Sequence, residues 1–207
     1  MINLKTVEID KYIHEQLIKP YSDKLTEQDL IKINKIILNK YNIKGEEIEY
    51  HYSDLKLLSN LERCSLEIID INDDLIENLN TLKHIKTIEF SHNKIKTAKT
   101  ISCNLYKIVL NFVTENVLNL IENCESVETI EIIESDGIDI NDLIKFKNIK
   151  NLYLYNCRIS NSGMLKSLYN LETLKLDGSK LDDENILNEL SNSIKITRNI
   201  SFILANA

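Results

Sequence analysis

The residues of this chain whose types permit chemistry are four histidines, four cysteines and a set of scattered carboxylates. His14, His51, His84 and His92 show no metal-ligand spacing among themselves. Cys64, Cys103, Cys124 and Cys157 contain no CxxC pair, so small buried thiols in a reducing compartment are expected over a disulfide or metal role. The acidic runs Asp70-Ile-Asn-Asp73-Asp74 and Asp136-Gly-Ile-Asp139 lack the residue order of an EF-hand loop. Glu89 and Glu131 are candidates for a carboxylate pair, but the expectation is that both are solvated. No GxSxG, P-loop, HExxH or dinucleotide-binding glycine pattern occurs. The expectation is therefore no catalytic centre, no cofactor and no metal. The chemistry left is that of contact. Val109, Phe112, Ile133, Tyr153 and Tyr155 supply apolar and aromatic surface, and Glu89, His92, Glu131 and Lys175 lie among them.

What places those residues together is one line that recurs. Ile149-x-x-Leu152-x-Leu154-x-x-Cys157-x-Ile159 is followed by Leu171-x-x-Leu174-x-Leu176-x-x-Ser179-x-Leu181. Ile85-x-x-Ile88-x-Phe90-x-x-Asn93-x-Ile95 is an earlier copy, and Ile33-x-x-Ile36-x-Leu38 is the first. Seven copies begin at Ile33, Leu61, Ile85, Leu105, Val127, Ile149 and Leu171. Both the motif and its 22-residue settling period are those of leucine-rich repeats. The expected fold is an α/β solenoid with a curved parallel sheet on its concave side and short helices or turns on its convex side. One continuous domain is expected: a helical cap over residues 1–32, repeats over 33–192 and a degenerate last coil over 193–207.

Side chains alternate across a strand. The fourth and sixth positions of each copy therefore point into the core, and the fifth points out. The seventh shares that outward face while the strand stays regular. Fifth positions read Ile37, Ser65, Glu89, Val109, Glu131, Tyr153 and Lys175; seventh positions read Asn39, Glu67, Ser91, Asn111, Ile133, Tyr155 and Asp177. Val109, Ile133, Tyr153 and Tyr155 make an apolar cluster on an otherwise polar surface, with Phe112 and His92 at neighbouring eighth positions. Seven strands at about 4.8 Å spacing offer roughly 400 Å² of flat face, below the ~800 Å² per partner of a standard interface. Flanking loops must add to it, and Tyr50-His51-Tyr52 is a candidate extension, a core-facing role being the alternative.

The ends and the insertion follow the same logic. Ile9, Ile13 and Leu17 have helical spacing, and Thr26-Glu-Gln-Asp29 resembles a capping box before the first strand. The long first step predicts a protruding loop or longer helix around residues 44–54, and the short step after Ile85 predicts a shortened coil. Near the C-terminus Ile194, Ile196, Ile200 and Phe202 alternate, which suggests a last coil with a terminal strand or helix.

The stretch Leu25-Thr-Glu-Gln-Asp-Leu30, followed by Ile33xxIle36xLeu38, resembles the start of bacterial internalin-like leucine-rich-repeat proteins, and the likeness extends over about residues 8 to 181. It implies a binding scaffold. The family's usual ninth-position Asn survives only at Asn93; the other copies carry Tyr41, Ile69, Val113, Ser135, Cys157 and Ser179. An incomplete polar ladder is therefore expected.

With 207 residues and a formal net charge of −7, the chain lacks the basic cluster that neutralises phosphates, so nucleic acid is not an expected partner. No run of 18 apolar residues exists and no membrane span is expected. The start MINLKTVEID has no secretory character, so the expected location is cytoplasmic, the alternative being export after loss of a leader or by a leaderless route. The expected function is a monomeric, non-enzymatic module that binds an unknown protein partner through its concave face. The alternative is a structural or self-associating scaffold.

Overall fold

The computed structural model describes residues 2, 4–113, 116–190 and 192–199. Eight parallel strands form one sheet in strict chain order. They are β1 (Lys35–Asn39), β2 (Arg63–Glu67), β3 (Thr87–Ser91), β4 (Lys107–Asn111), β5 (Thr129–Ile133), β6 (Asn151–Tyr155), β7 (Thr173–Asp177) and β8 (Lys195–Thr197). The register advances without a slip. Ile36, Cys64, Ile88, Ile108, Ile130, Leu152, Leu174 and Ile196 form one cross-sheet row. A parallel row runs through Leu38, Leu66, Phe90, Leu110, Ile132, Leu154 and Leu176. Apart from Ile196, every member of both rows is buried. The core is thus built from the fourth and sixth positions, as alternation requires.

β8 belongs to the degenerate last coil and pairs with β7. Ile200 and Phe202 lie outside the described residues. Return segments close most coils with short helical pieces, among them a helix α3 (Asp73–Leu79) after β2 and 3₁₀ turns at Val117–Leu120, Ile140–Asp142 and Ser162–Ser167. They bury Leu75, Leu79, Leu143, Phe146, Leu165 and Leu168. The 20-residue coil between β3 and β4 has no helical turn. Its return consists of Lys94–Ile95, paired with Asp70–Ile71, and Ile101, bridged to Ile121.

The N-terminal end of the stack is closed by helix α1 (Val7–Gln16), which buries Ile9 and Ile13, and by the single turn α2 (Glu27–Leu30). The Thr26–Asp29 capping box is present in full: Asp29 N–H donates to Thr26 Oγ1 at 3.3 Å and Thr26 N–H to Asp29 Oδ2 at 2.9 Å. Lys19 adds a 2.8 Å bond to the same carboxylate. That ammonium, with the Thr26 hydroxyl and N–H, holds Asp29 well below the usual carboxylate range.

The insertion at residues 44–54 departs from the expected protruding loop over its second half. A hairpin turn with Tyr41 paired to Glu47 projects Ile43 into solvent. The chain then folds back onto the cap. Buried Asp54 accepts from the N–H groups of Lys5 (3.0 Å) and Thr6 (2.7 Å), and His51 N–H donates to Thr6 Oγ1 (2.9 Å). Asp54 thereby serves the start of α1, whose own N-cap Thr6 makes no side-chain capping bond.

The ninth-position ladder is more complete than one Asn in seven suggests. Asn93 accepts from Ser91 N–H (2.7 Å) and donates to the Ile69 carbonyl of the preceding coil (2.9 Å). Ser135 Oγ accepts from Val113 N–H at 3.1 Å, and Ser179 Oγ accepts from Cys157 N–H at 3.0 Å. Serine therefore replaces Asn as a bridge between adjacent coils. A second row stands just before the strands. Asn60, Asn148 and Asn170 donate to the carbonyls of Ile31, Glu125 and Lys147, one coil back, at 2.9, 2.8 and 2.9 Å.

Candidate protein-binding face

The outer face of the sheet carries the third, fifth and seventh positions, the side that lines the concave arc of a leucine-rich-repeat fold. Its two halves differ. In the N-terminal half the charges are engaged with one another. Arg63 reaches Glu89 on the next strand at 2.7 Å, and Ser65 Oγ donates to the same carboxylate at 2.9 Å. Lys107 repeats the diagonal onto Glu131 at 2.5 Å. Both carboxylates were expected to be solvated, and both are instead held in cross-strand ion pairs. Burial works against ionisation of Glu89, but the bonds from Arg63 and Ser65 outweigh it and hold the carboxyl below its ordinary value.

Val109 is the correction that matters most. It occupies an outward position between Glu89 and Glu131 in register, yet it is only 4% exposed. Its register neighbours on both sides, Glu89 and Glu131, carry longer side chains than the valine. It is floor beneath the ion pairs and offers no open contact surface.

In the C-terminal half the third-position Thr129 is buried, but the fifth and seventh positions stay partly open. Ile133, Tyr153 and Tyr155 are half-buried. Ile133 lies in register between Asn111 and Tyr155, and Tyr153 between Glu131 and Lys175. Lys175 Nζ stands 4.9 Å from the Tyr155 ring centre and 3.0 Å from Asp177 Oδ2, so the cation is steadied on the aromatic face. Among the described residues, the buried Asn111 Oδ1 beside this patch has no hydrogen-bond partner.

One rim of the face is made by the eighth positions. Ile68, His92, Phe112, Glu134 and Asn156 all have positive φ, between 46° and 61°, as does Gly178. Here the chain turns out of each strand. The N–H groups of Ile68, Phe112, Glu134 and Asn156 donate to the seventh-position carbonyl of the next strand, at 2.7, 3.0, 2.8 and 2.9 Å. For a β-branched or aromatic residue this conformation costs on the order of 1–3 kcal/mol. Ile68, His92 and Phe112 occupy it on consecutive coils and are exposed, and the last two rings stack at 4.8 Å. His92 and Phe112 were expected beside the face; Ile68 was not singled out. Its signal was an apolar residue at an eighth position one coil before His92.

The structure also removes a proposed extension. Tyr52 is buried, and Tyr50 packs against the core with its hydroxyl bonded to the backbone N–H (3.1 Å) and carbonyl (3.0 Å) of Asn39 on the sheet's edge strand. The two rings stack at 5.7 Å, and burial pushes both phenols up to about 12. Of this segment only His51 is exposed. The exposed apolar residue nearby is Ile43, in the hairpin turn that leads into the insertion.

Among the described residues, no three His, Cys, Asp or Glu side chains come together as metal ligands. The acidic runs are occupied elsewhere: Asp70 pairs with Lys96 at 2.7 Å, Asp73 bonds Thr97, and Asp139 accepts from Asn141 N–H and the Asn161 amide. Burial pushes the Cys64 thiol up to about 12 and that of Cys103 up to about 11, away from the reactive thiolate form. All four cysteines are free. Among the described residues no helix is long and apolar enough to cross a membrane.

No protein-family model and no curated protein matches the sequence. Among solved structures, internalin C2 from Listeria monocytogenes str. 4b F2365 is similar over 95% of this chain and 94% of its own, with 20% identity and a TM-score of 0.50. The fold is an internalin-like leucine-rich-repeat solenoid. Internalin F from the same organism matches 94% of this chain and 75% of its own at 16% identity, with a TM-score of 0.37. In such a repeat the inward positions build the core, and the outward positions, among them the aromatic patch and its rim, are left free to vary.

Proposed function

We propose that this chain is a non-enzymatic protein-binding module whose contact surface is the C-terminal half of the concave face. Ile133, Tyr153, Tyr155 and Lys175 form its centre, Phe112, His92 and Ile68 its rim, and Glu89 and Glu131 its ion-paired border. The observation that carries this reading is the open tyrosine–isoleucine patch beside a half in which outward charges neutralise one another. Tyrosine is enriched at interface centres because it offers a large rigid apolar body with a polar tip.

Replacing both Tyr153 and Tyr155 with alanine tests the reading. Partner capture should fall at least about tenfold, with little loss of thermal stability. A stability loss equal to that of Leu152→Ala would mean the tyrosines serve the core. Sedimentation at tens of micromolar separates the self-associating alternative: a dimer abolished by the same substitutions would place a second copy on this face.

A further inference from the structure

His14 lies in the last turn of α1 and is 5% exposed. Its Nδ1 is 2.9 Å from the carbonyl oxygen of Asp10, and its Nε2 is 2.8 Å from the carbonyl oxygen of Asp23. A carbonyl oxygen only accepts. Neutral imidazole has one N–H and can satisfy one of these partners; imidazolium satisfies both. The ring is thus set between two acceptors that together select its charged form.

The groups around it favour the same state. The Asp10 carboxylate stands 3.8 Å from Nδ1. Lys11 and Glu15 of α1 line the same hollow, together with Lys19 and Tyr21 of the connection to α2. The Tyr21 ring centre is 5.1 Å from that of His14. Lys19 opposes the imidazolium charge, but its ammonium is paired with Asp29 of α2 at 2.8 Å. His51, His84 and His92 are all exposed, and among the described residues none has such a pair of carbonyl acceptors.

The bond to Asp23 spans the connection between the two cap helices. Lys19 makes the companion tie, donating to the Lys24 carbonyl at 2.8 Å. The connection itself exposes Ile18 and Tyr21 and turns through positive φ at Ile18. We propose that His14 is a proton-operated latch: its imidazolium ties α1 to the connection that leads into α2, and deprotonation releases one of the two carbonyls and loosens the cap over the first coil.

The direction follows from the bonding. Hydrogen bonds to the Asp23 and Asp10 carbonyls raise His14 above its ordinary value, against the effect of burial. The stability it contributes is fully present below the unfolded value of about 6.5 and is lost as pH rises through the raised folded value. Acidification through that window tightens the cap.

The test is a titration of the four histidine ring resonances in the wild-type chain from about pH 5 to 9, with amide exchange of residues 17–24 followed over the same range and corrected for intrinsic rates. His14 should titrate above the ordinary histidine value of about 6.5. Protection of 17–24 should fall across that step, by about tenfold for each pH unit of elevation. His14→Gln should leave protection flat with pH. A His14 midpoint at or below about 6.5 overturns the latch, as does protection that stays constant through its titration. The wild-type measurements decide the matter even where His14→Gln does not fold.

Discussion

The two halves of the outer sheet face share one register and one repeat, yet offer different surfaces. Around β2 to β5, long charged side chains reach diagonally from third to fifth positions: Arg63 to Glu89 and Lys107 to Glu131. They use each other as partners, and Val109, in register between Glu89 and Glu131, is buried. Around β5 to β7, the corresponding third positions are Thr129, Asn151 and Thr173, too short to make the same reach. Ile133, Tyr153 and Tyr155 consequently stay open. An outward position is thus left open or buried according to the length of its neighbours one strand away.

The largest effect expected from any substitution at this face is on its inward side. Leu152→Ala should cost about 2–5 kcal/mol by denaturant melts, because it opens a cavity in the continuous core row. Tyr153→Ala and Tyr155→Ala should each cost clearly less. Equal losses would erase the distinction between the two faces of β6. Ser179→Ala comes next, at about 1–3 kcal/mol, since it strips the buried Cys157 N–H of its acceptor. An unchanged melt would show that the serine bridges are dispensable in the C-terminal half.

The ion pairs of the N-terminal half are half-exposed on the Arg63 side, so Arg63→Met should cost only about 0–1 kcal/mol. Its clearer signature is pH. The carboxyl of Glu89 sits below its ordinary value, so its contribution is present above the unfolded value of about 4.3 and is lost as pH falls through the lower folded value. Arg63→Met should flatten that part of the acid-unfolding curve. The smallest stability change belongs to Phe112→Gly. Relief of the left-handed backbone offsets the loss of the His92 stack, leaving the melt within about 1 kcal/mol of wild type. Partner capture should weaken nonetheless, because the rim loses its aromatic.

The inward half of this architecture was legible in the residues. Period-2 alternation within a 22-residue repeat identifies Ile36, Leu66, Leu152 and Leu174 as core without further information. The capping box at Thr26 was legible because its chemistry is local. What depends on a neighbour one coil away was not. Val109 is hidden by residues some 20 positions distant, and Tyr50 turns inward because the edge backbone of Asn39 needs a partner. The row of Asn60, Asn148 and Asn170 went unread because its partners are carbonyls of the preceding coil, which no motif records. Ser135 and Ser179 hid the ninth-position ladder, since a hydroxyl can take over one of the bonds of an amide.

The central claim is that the open C-terminal half of the concave face, rather than its ion-paired N-terminal half, holds the partner. Quantitative affinity capture with three baits tests it most directly: wild type, Tyr153→Ala/Tyr155→Ala, and Arg63→Met as the control in the other half. Proteins enriched on wild type should be retained by Arg63→Met and lost at least about tenfold by the tyrosine pair. Retention by the tyrosine pair, or equal loss by both variants at preserved fold, would contradict the account.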